Sequence, residues 1–391
     1  MALEISPGIF SVGTSDPDMR VFDVVVPTAF GSSYNAYLVR GEKATALVET
    51  VHEKKCEEFL ANIRSVCAIS EIDYIVMNHT EPDHSGSLLE LLKLAPQAKV
   101  VAGASALRFL KKITNSEFES ITATNTLRLD LGAKSLEFII APNLHWPDSM
   151  FTYIPENKAL FTCDFLGAHY YEENHPLFSK ITSMDNYKVS LKVYFDCIFS
   201  PFKRFVQNGL QKIAPLDLSL VCPSHGPILD DGIQKIVDIY AQWSSQEEPS
   251  KYAVVAFASA YGYTRLLAET AEATLRDGGY SVKLFDLGVT PPEIVANEAN
   301  RASLILVGSS TFNRDALLPV WEFVAHLSAI VNVNKKVGVF GSYGWSGEGV
   351  PLLVEHLRQK KYNVCGDGFR AVFKPSEQET SAMKEYVKSC L

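Results

Sequence analysis

After an apolar run that reads as a strand, Asp73-Tyr-Ile-Val-Met77, the chain continues Asn78-His79-Thr80-Glu81-Pro82-Asp83-His84-Ser85-Gly86 and then enters a leucine-rich run, Ser87–Leu92, with helical spacing. His79, Glu81, Asp83 and His84 place two imidazoles and two carboxylates within six residues, at a strand-to-helix turn where they can converge. A solvated charged turn would account for one Glu and one Asp, but not for two histidines interdigitated with them. Three further segments put a ligand-type side chain at the end of an apolar run: Ile139–His145, Leu160–Asp164 and Leu218–His225. A buried Asp or His at such a point is costly unless it is paired or bound to a cation. The seven residues His79, Glu81, Asp83, His84, His145, Asp164 and His225 suffice for two metal ions if one carboxylate bridges them.

A second constellation lies in the C-terminal part. The strand-like run Tyr252–Phe257 leads into Ser259, Ala260, Tyr261, Gly262, Tyr263 and Thr264, and a helix is expected from Thr264 to Asp277. Hydroxyls and a glycine between a strand and a helix N-terminus form an anion cradle, because free backbone N–H groups and the helix dipole both favour a phosphate. Two more segments follow strand-like runs. Leu304–Val307 precedes Gly308, Ser309, Ser310, Thr311, Phe312 and Asn313, and Lys336–Phe340 precedes Gly341, Ser342, Tyr343, Gly344, Trp345, Ser346 and Gly347. Both are expected as loops at the carboxyl ends of parallel strands, where open α/β sheets bind ligands. Tyr343 and Trp345 are placed to flank a planar ring. The absence of G-x-G-x-x-G speaks against a dinucleotide.

The elements that must position these residues change character near residue 250. Before it, strand pairs surround turns at Gly41-Glu42 (Tyr34–Val39 with Ala44–Glu49), Gly132-Ala133 (Leu127–Asp130 with Leu136–Ile140) and Pro155–Asn157 (Phe151–Ile154 with Ala159–Thr162). Helical spacing covers 105–113 and 186–213, the latter interrupted by Pro201. Many strands with a few helices imply stacked sheets covered by helices. Ser244–Ser250 is polar, contains Pro249 and has no periodicity, so it is the expected linker between domains 1–249 and 250–391. Beyond it strands and helices alternate (Tyr252–Phe257, Thr264–Asp277, Ser281–Leu287, Leu304–Val307, Lys336–Phe340, Ser376–Lys388), which implies a doubly wound parallel sheet.

A length of 391 residues suits two domains, and 47% hydrophobic with 21% charged residues is ordinary for globular protein. A net charge of −9 without a basic, aromatic-interleaved run excludes nucleic acid as the main partner. The apolar runs are far below the roughly 20 residues a bilayer demands, and the N-terminus has no secretory pattern. Seven scattered cysteines, none spaced C-x-x-C, speak against a disulfide framework and against a built-in rubredoxin or zinc ribbon, and imply a reducing cytoplasm.

The pattern H-x-[EH]-x-D-H with distant His, Asp and His resembles the metallo-β-lactamase superfamily. Its zinc hydrolases carry a second histidine where this chain has Glu81, and a carboxylate there favours a harder metal such as iron or manganese. Glu81, together with the three flavodoxin-like segments downstream, resembles the flavodiiron proteins over essentially the whole chain, in their minimal form without appended rubredoxin or flavin-reductase domains. The resemblance implies an αββα metallo-β-lactamase-like sandwich followed by a flavodoxin-like domain. It implies two irons, one on His79, Glu81 and His145, the other on Asp83, His84 and His225, with Asp164 bridging. It implies FMN on the second domain, its phosphate in the first segment and its ring between the other two. The expected activity is reduction of dioxygen to water, of nitric oxide to nitrous oxide, or both. Two ferrous ions and a reduced flavin together carry the four electrons that dioxygen takes. Electrons are expected from a separate donor such as rubredoxin, and a head-to-tail homodimer or dimer of dimers is expected to set the flavin of one chain against the irons of the other. His169 and Tyr194 are candidates to line the gas pocket or donate a proton. The segment Phe22–Pro27 lacks a histidine that some family members carry there. The competing reading is a zinc-dependent hydrolase fused to a flavodoxin module, against which Glu81 speaks; a gas-sensing binding module has no DNA-binding or signalling element to support it.

Overall fold

The computed structural model describes residues 2–173, 175–245 and 251–391. The chain divides into two compact units, Met1–Gln246 and Glu247–Leu391. The expected linker Ser244–Ser250 begins later than its composition implied. Ser244 closes the helix Ile233–Ser244, its hydroxyl donating back to Tyr240 O at 2.6 Å, and Ser245 caps it; the remaining residues of that stretch lie outside the described ones.

The first unit is built on two sheets. The seven-stranded sheet runs Leu3–Ser6, Ile9–Ser11, Tyr37–Arg40, Thr45–Val48, Ile72–Met77, Lys99–Ala102 and Ser120–Thr122. The five-stranded sheet runs Arg128–Asp130, Ser135–Ile140, Met150–Ile154, Ala159–Cys163 and Leu220–Pro223. Val39, Val48, Val76 and Val101 of one sheet pack with Phe138, Met150, Phe161 and Cys222 of the other in the core between them. The opposite face of the first sheet buries Leu38, Leu47 and Ile75 under Phe59 and Ile63 of the helix Cys56–Arg64 and Leu107 and Leu110 of the helix Ala104–Thr114. The outer face of the second buries Phe151 and Leu160 under Tyr194, Val206 and Tyr240. The result is the helix–sheet–sheet–helix sandwich that the pattern of short strands implied.

Two details differ from the sequence-based expectation. The run Tyr34–Val39 is broken: Ser32–Tyr34 pairs with Thr14–Asp16, and the main-sheet strand begins at Tyr37. The break places the Asn35 side chain among residues 223–226. The long helical stretch is in four pieces. The α-helix Met184–Tyr194 gives way to a π-turn over Phe195–Phe199 and a 3₁₀ turn over Ser200–Phe202, and an α-helix resumes over Lys203–Ile213. Pro201 has no N–H to donate and cannot continue the first helix.

The second unit is a parallel sheet in the order Ser281–Asp286, Tyr252–Ala258, Leu304–Phe312, Lys336–Tyr343, then the short Asn363–Val364 and Phe369–Val372 along the last edge. Alternate residues of each strand face two cores. Val254, Ile305 and Val339 pack against Val295, Phe323 and Leu353, while Val255, Leu306 and Phe340 pack against Leu267, Leu275 and Met383. Buried on both faces, these strands show no polar alternation, as a parallel sheet requires. The two segments expected as loops after Val307 and Phe340 are largely strand: pairing continues to Ser310 beside Ser342, and the strands end at Phe312 and Tyr343. Small Gly, Ser and Thr residues are tolerated there because the register with neighbouring strands carries them along.

Candidate metal centre and ligand cleft

All seven ligand-type residues of the first unit meet at one end of its two sheets. Asn78 and His79 follow the strand Ile72–Met77, and Asp83 and His84 sit on the single helical turn Pro82–Ser85, which Glu81 caps. His145, Asp164 and His225 follow Ser135–Ile140, Ala159–Cys163 and Leu220–Pro223. Asn78 stitches the sheets together here: its carbonyl accepts from Met150 N–H at 2.9 Å and its side-chain oxygen from Thr152 Oγ1 at 2.6 Å.

The donor atoms form two sets about Asp164. Its Oδ2 lies 3.0 Å from His145 Nε2 and 3.5 Å from His79 Nε2, and both imidazoles are 3.1 Å from Glu81 Oε2. Its Oδ1 lies 3.1 Å from His84 Nε2 and 3.5 Å from His225 Nε2, which approach Asp83 Oδ2 at 3.3 and 3.0 Å. The sets touch, since donor atoms of His79, Glu81, His84 and Asp164 also fall within 4.8 Å of one another. One carboxylate thus presents one oxygen to each set.

These groups are buried without enough partners. Both oxygens of Asp83, Oδ1 of Asp164 and Nε2 of His84 make no hydrogen bond. Burial acts to lower the basicity of the imidazoles, but neighbouring carboxylates reverse it. Asp148, Glu81 and Asp164 raise His79 well above its ordinary value, Asp83 and Asp164 bring His84 up to about 9, and Asp164 and Glu81 raise His145. Burial raises the Asp164 and Glu81 carboxyls less than the facing histidines lower them. A pocket with this field holds positive charge, and unpartnered N and O atoms in two facing sets fit two cations.

Behind these donors stand residues that the sequence pattern did not single out. Asp148 Oδ1 is 3.8 Å from His79 Nδ1. His225 Nδ1 is 2.7 Å from Ser33 O, and its loop is clamped by Asn35, whose side-chain N–H groups donate to Pro223 O and Gly226 O at 2.8 Å each. Tyr37 Oη donates to Pro223 O at 2.6 Å. Gly226 has φ +77°, and a Cβ there would lie 2.2 Å from Ala168 O, so only glycine lets the chain after His225 turn this closely. Glu49, fully buried and pushed up to about 7 by that burial, accepts from Asn78 N–H at 2.9 Å. Such partners aim ligand side chains.

Of the two candidate pocket residues, Tyr194 Oη donates to the backbone carbonyl of Asp164 at 3.2 Å. His169 Nδ1 is 2.7 Å from Ser32 Oγ, its Nε2 is buried without a partner, and its ring centroid is 4.7 Å from that of His225. Burial and the His225 charge hold it well below the ordinary imidazole value, so it is a neutral ring. In Phe22–Pro27, where no histidine stands, the Asp23 carboxyl is pushed up to about 6 by burial and by Glu81 and Asp83.

In the second unit, a cleft of about 220 Å³, partly open to solvent, lies over the carboxyl ends of the strands. Its walls include Ala260, Tyr261 and Tyr263, then Ser310, Thr311, Phe312 and Asn313, then Ser342, Tyr343, Gly344, Trp345 and Ser346, with Arg314 and Phe373 added by the structure. Trp345 is 97% and Tyr261 80% exposed, an unusual placement for large aromatics unless a planar group covers them. Gly262, at φ +83°, opens the helix Tyr263–Asp277 with nothing within 4 Å of a Cβ position. Ser259 keeps a buried, unpartnered hydroxyl beside this cradle. Thr264 is fully buried and shares its hydroxyl with Ser310 Oγ at 3.0 Å and Ser342 Oγ at 2.7 Å, joining all three segments. Ser309, by contrast, is interior: its hydroxyl donates to Ser310 O and accepts from Leu317 N–H at 2.9 Å. Gly347 is not a wall residue; a Cβ there would press on the Tyr343 ring.

A sandwich that gathers seven ligand-type side chains, followed by a parallel sheet with a cleft at its carboxyl ends, defines a two-site class of protein, and comparisons identify which. Residues 33–226 match the family model described as ODP family beta lactamase, and residues 255–385 match that described as flavodoxin. The flavo-diiron protein FprA2 of Clostridium acetobutylicum is 42% identical over 97% of this chain and 96% of its own length. The nitric oxide reductase of Moorella thermoacetica is 34% identical over 93% of this chain and 91% of its own length. Rubredoxin oxygen:oxidoreductase from Desulfovibrio gigas superposes with a TM-score of 0.72 at 26% identity, covering 100% of this chain and 98% of that one. The chain belongs to the flavodiiron protein family.

Proposed function

We propose that this chain is an oxidoreductase that reduces dioxygen to water, nitric oxide to nitrous oxide, or both, at a non-haem di-iron site fed by FMN. The observation that carries the reading is Asp164, whose two oxygens each face a separate set of nitrogen and oxygen donors. Its similarity to a rubredoxin oxygen:oxidoreductase and a nitric oxide reductase supports the choice of substrates.

His79, Glu81 and His145 would hold one iron and Asp83, His84 and His225 the other, with Asp164 between them. The irons would supply binding and reduction of the small diatomic, and FMN the electrons that replenish them. The protein's part is positional. Asn35, Tyr37 and Ser33 hold the His225 loop, Asp148 stands behind His79, and Tyr194 fixes the carbonyl of Asp164. Phe22, neutral His169 and Tyr194 crowd the ring of His225, with centroids at 5.4, 4.7 and 6.2 Å, and keep bulk water from that side. Asp23 faces Glu81 and Asp83, and partial burial and these two carboxylates raise its own carboxyl above the ordinary value. In the cleft, the N-terminus of the helix Tyr263–Asp277 and the hydroxyls around it suit the FMN phosphate, and Tyr343 and Trp345 suit its ring.

A separate rubredoxin-like protein is the proposed donor, and the flavin of one chain is proposed to serve the irons of a second in a head-to-tail pair. No helix among the described residues is long and apolar enough to cross a membrane. A reducing cytoplasm is the proposed compartment, since the seven scattered cysteines include no C-x-x-C pair. Metal analysis with flavin extraction, followed by anaerobic donor-driven consumption of each gas, tests the assignment. About two irons and one FMN per chain with gas reduction are expected; tightly held zinc with hydrolase activity overturns it.

A further inference from the structure

Two of the seven free cysteines meet in the second unit. Cys365 follows the strand Asn363–Val364, and its N–H donates to Val337 O at 2.8 Å. Cys390, fully buried, caps the helix Glu377–Ser389, and its Sγ lies 3.1 Å from where a Cβ on Gly338 would stand. Both therefore reach the same point of the strand Lys336–Tyr343: Cys365 follows Val364, the register partner of Val337, and Cys390 lies over Gly338. Tyr386 locks the arrangement: its Oη donates to Cys365 O at 3.1 Å and accepts from Val339 N–H at 2.9 Å, and its carbonyl lies 3.4 Å from Cys390 Sγ. The absence of a side chain on Gly338 is what admits Cys390 this close to the sheet.

The two thiols are unequal. Cys365 is partly exposed, and neighbouring Cys390 and the Lys336 charge hold it below the ordinary thiol value. Cys390 is fully buried, and Cys365 beside it and that burial push its thiol up. A partly exposed thiol and a buried one at the same strand position have the arrangement of an attacking and a resolving cysteine.

We propose that Cys365 and Cys390 form a peroxide-sensitive pair that closes to a disulfide and pins the C-terminal helix to the sheet of the flavodoxin-like unit. The Cys365 thiolate attacks one oxygen of hydrogen peroxide; an S–O bond forms, the O–O bond breaks, and the departing hydroxide takes up a proton as water. The Cys390 sulfur then attacks the sulfenic sulfur; the S–S bond forms, the S–O bond breaks, and a second water leaves with the Cys390 proton. Two electrons pass from the thiols to peroxide, and a dithiol reductant reverses the change. Peroxide is the two-electron product of dioxygen, so the oxidant class is one that gas chemistry generates. The closed loop contains the edge strand Phe369–Val372 and Phe373 of the cleft wall, so its closure restrains that wall.

The test treats the reduced full-length holoprotein with a small excess of hydrogen peroxide, blocks remaining thiols, and digests it with trypsin without reductant. The expected product is peptide 362–370 joined to peptide 389–391, lighter by two hydrogens than the sum and split by dithiothreitol. Cys390→Ser should leave Cys365 as a sulfenic acid that dimedone traps, while Cys365→Ser should leave Cys390 reduced. Retained flavin absorbance confirms that each variant is folded. The wild-type flavodoxin-like unit should also melt at a higher temperature after oxidation, a shift that dithiothreitol abolishes. Cys365 oxidised or capped while Cys390 stays reduced in the wild type overturns the proposal, as does finding both Cys365 and Cys390 still free at peroxide levels that oxidise other cysteines of the chain.

Discussion

Asn35 offers the sharpest test of how the site is held. Its side chain donates two hydrogen bonds, both 2.8 Å, to carbonyls on either side of His225. Asn35→Ala removes both and leaves the carbonyls of Pro223 and Gly226 buried with fewer partners. At about 1 kcal/mol for each bond, plus desolvation of the orphaned acceptors, the expected loss of stability is about 2–4 kcal/mol. Loss of a partner that aims a metal ligand weakens metal binding by about 10–100-fold. The damage should fall on the set that contains His225, since His79, Glu81 and His145 do not touch this loop. Urea unfolding of the metal-free protein measures the first quantity, and competition with a chelator, followed by iron counting, the second. Iron should fall from about two per chain toward one, and FMN should stay bound. Tyr37→Phe, which removes a single hydrogen bond to Pro223 O, should show the same pattern at about half the energy. Equal loss of both irons, or full retention of both at a loss of 2–4 kcal/mol, would refute the view that this clamp positions His225.

Other substitutions separate the parts of the account. Asp164→Ala removes the carboxylate shared by both sets and should strip about two irons, whereas Thr264→Ala, which unlinks Ser310 and Ser342, should weaken FMN by about tenfold or more with iron unchanged; elemental analysis beside flavin fluorescence distinguishes them. Glu81→His replaces the carboxylate facing His79 and His145 by an imidazole and should shift metal selectivity toward zinc, read from metal content after growth with both ions. Trp345→Ala should weaken FMN by about fivefold, in line with about 1 kcal/mol for a lost aromatic stack, as measured by fluorescence titration. Residues 1–249 and 250–391, expressed separately, should each fold with their own cofactor, and co-expression of a metal-dead with a flavin-dead full-length chain should restore activity; verified mixed dimers without activity would place electron transfer within one chain.

How much was legible in the sequence depended on the range of the physics involved. The ligand-type residues stood out because a strand end followed by His, Asp or Glu is a local signal, and all seven converge as the pattern implied. Asn35 carried no such signal: a lone Asn in a β-run is ordinary, and its partners lie 188 and 191 residues away. Asp148 and Glu49 were hidden for the same reason, since each acts only across the fold. Ser309 was grouped with its neighbours by sequence proximity, but a strand alternates its faces, so it points inward where Ser310 points to the cleft. The strands ending at Phe312 and Tyr343 look shorter in the sequence because Gly, Ser and Thr resemble loop, and only pairing with the next strand overrides that propensity. Arg314 and Phe373 reach the cleft through the turn and the edge strand that follow such misread ends.

The central claim, a di-iron site emptied and refilled through a flavin, is tested most directly by rapid mixing of the fully reduced protein with each gas in turn. The account predicts that one chain's two irons and FMN together deliver about four electrons, reoxidising in step with loss of dioxygen or nitric oxide and releasing water or nitrous oxide. Flavin that reoxidises at the same rate in wild type and in the iron-free Asp164→Ala protein, with hydrogen peroxide as the product, would contradict it.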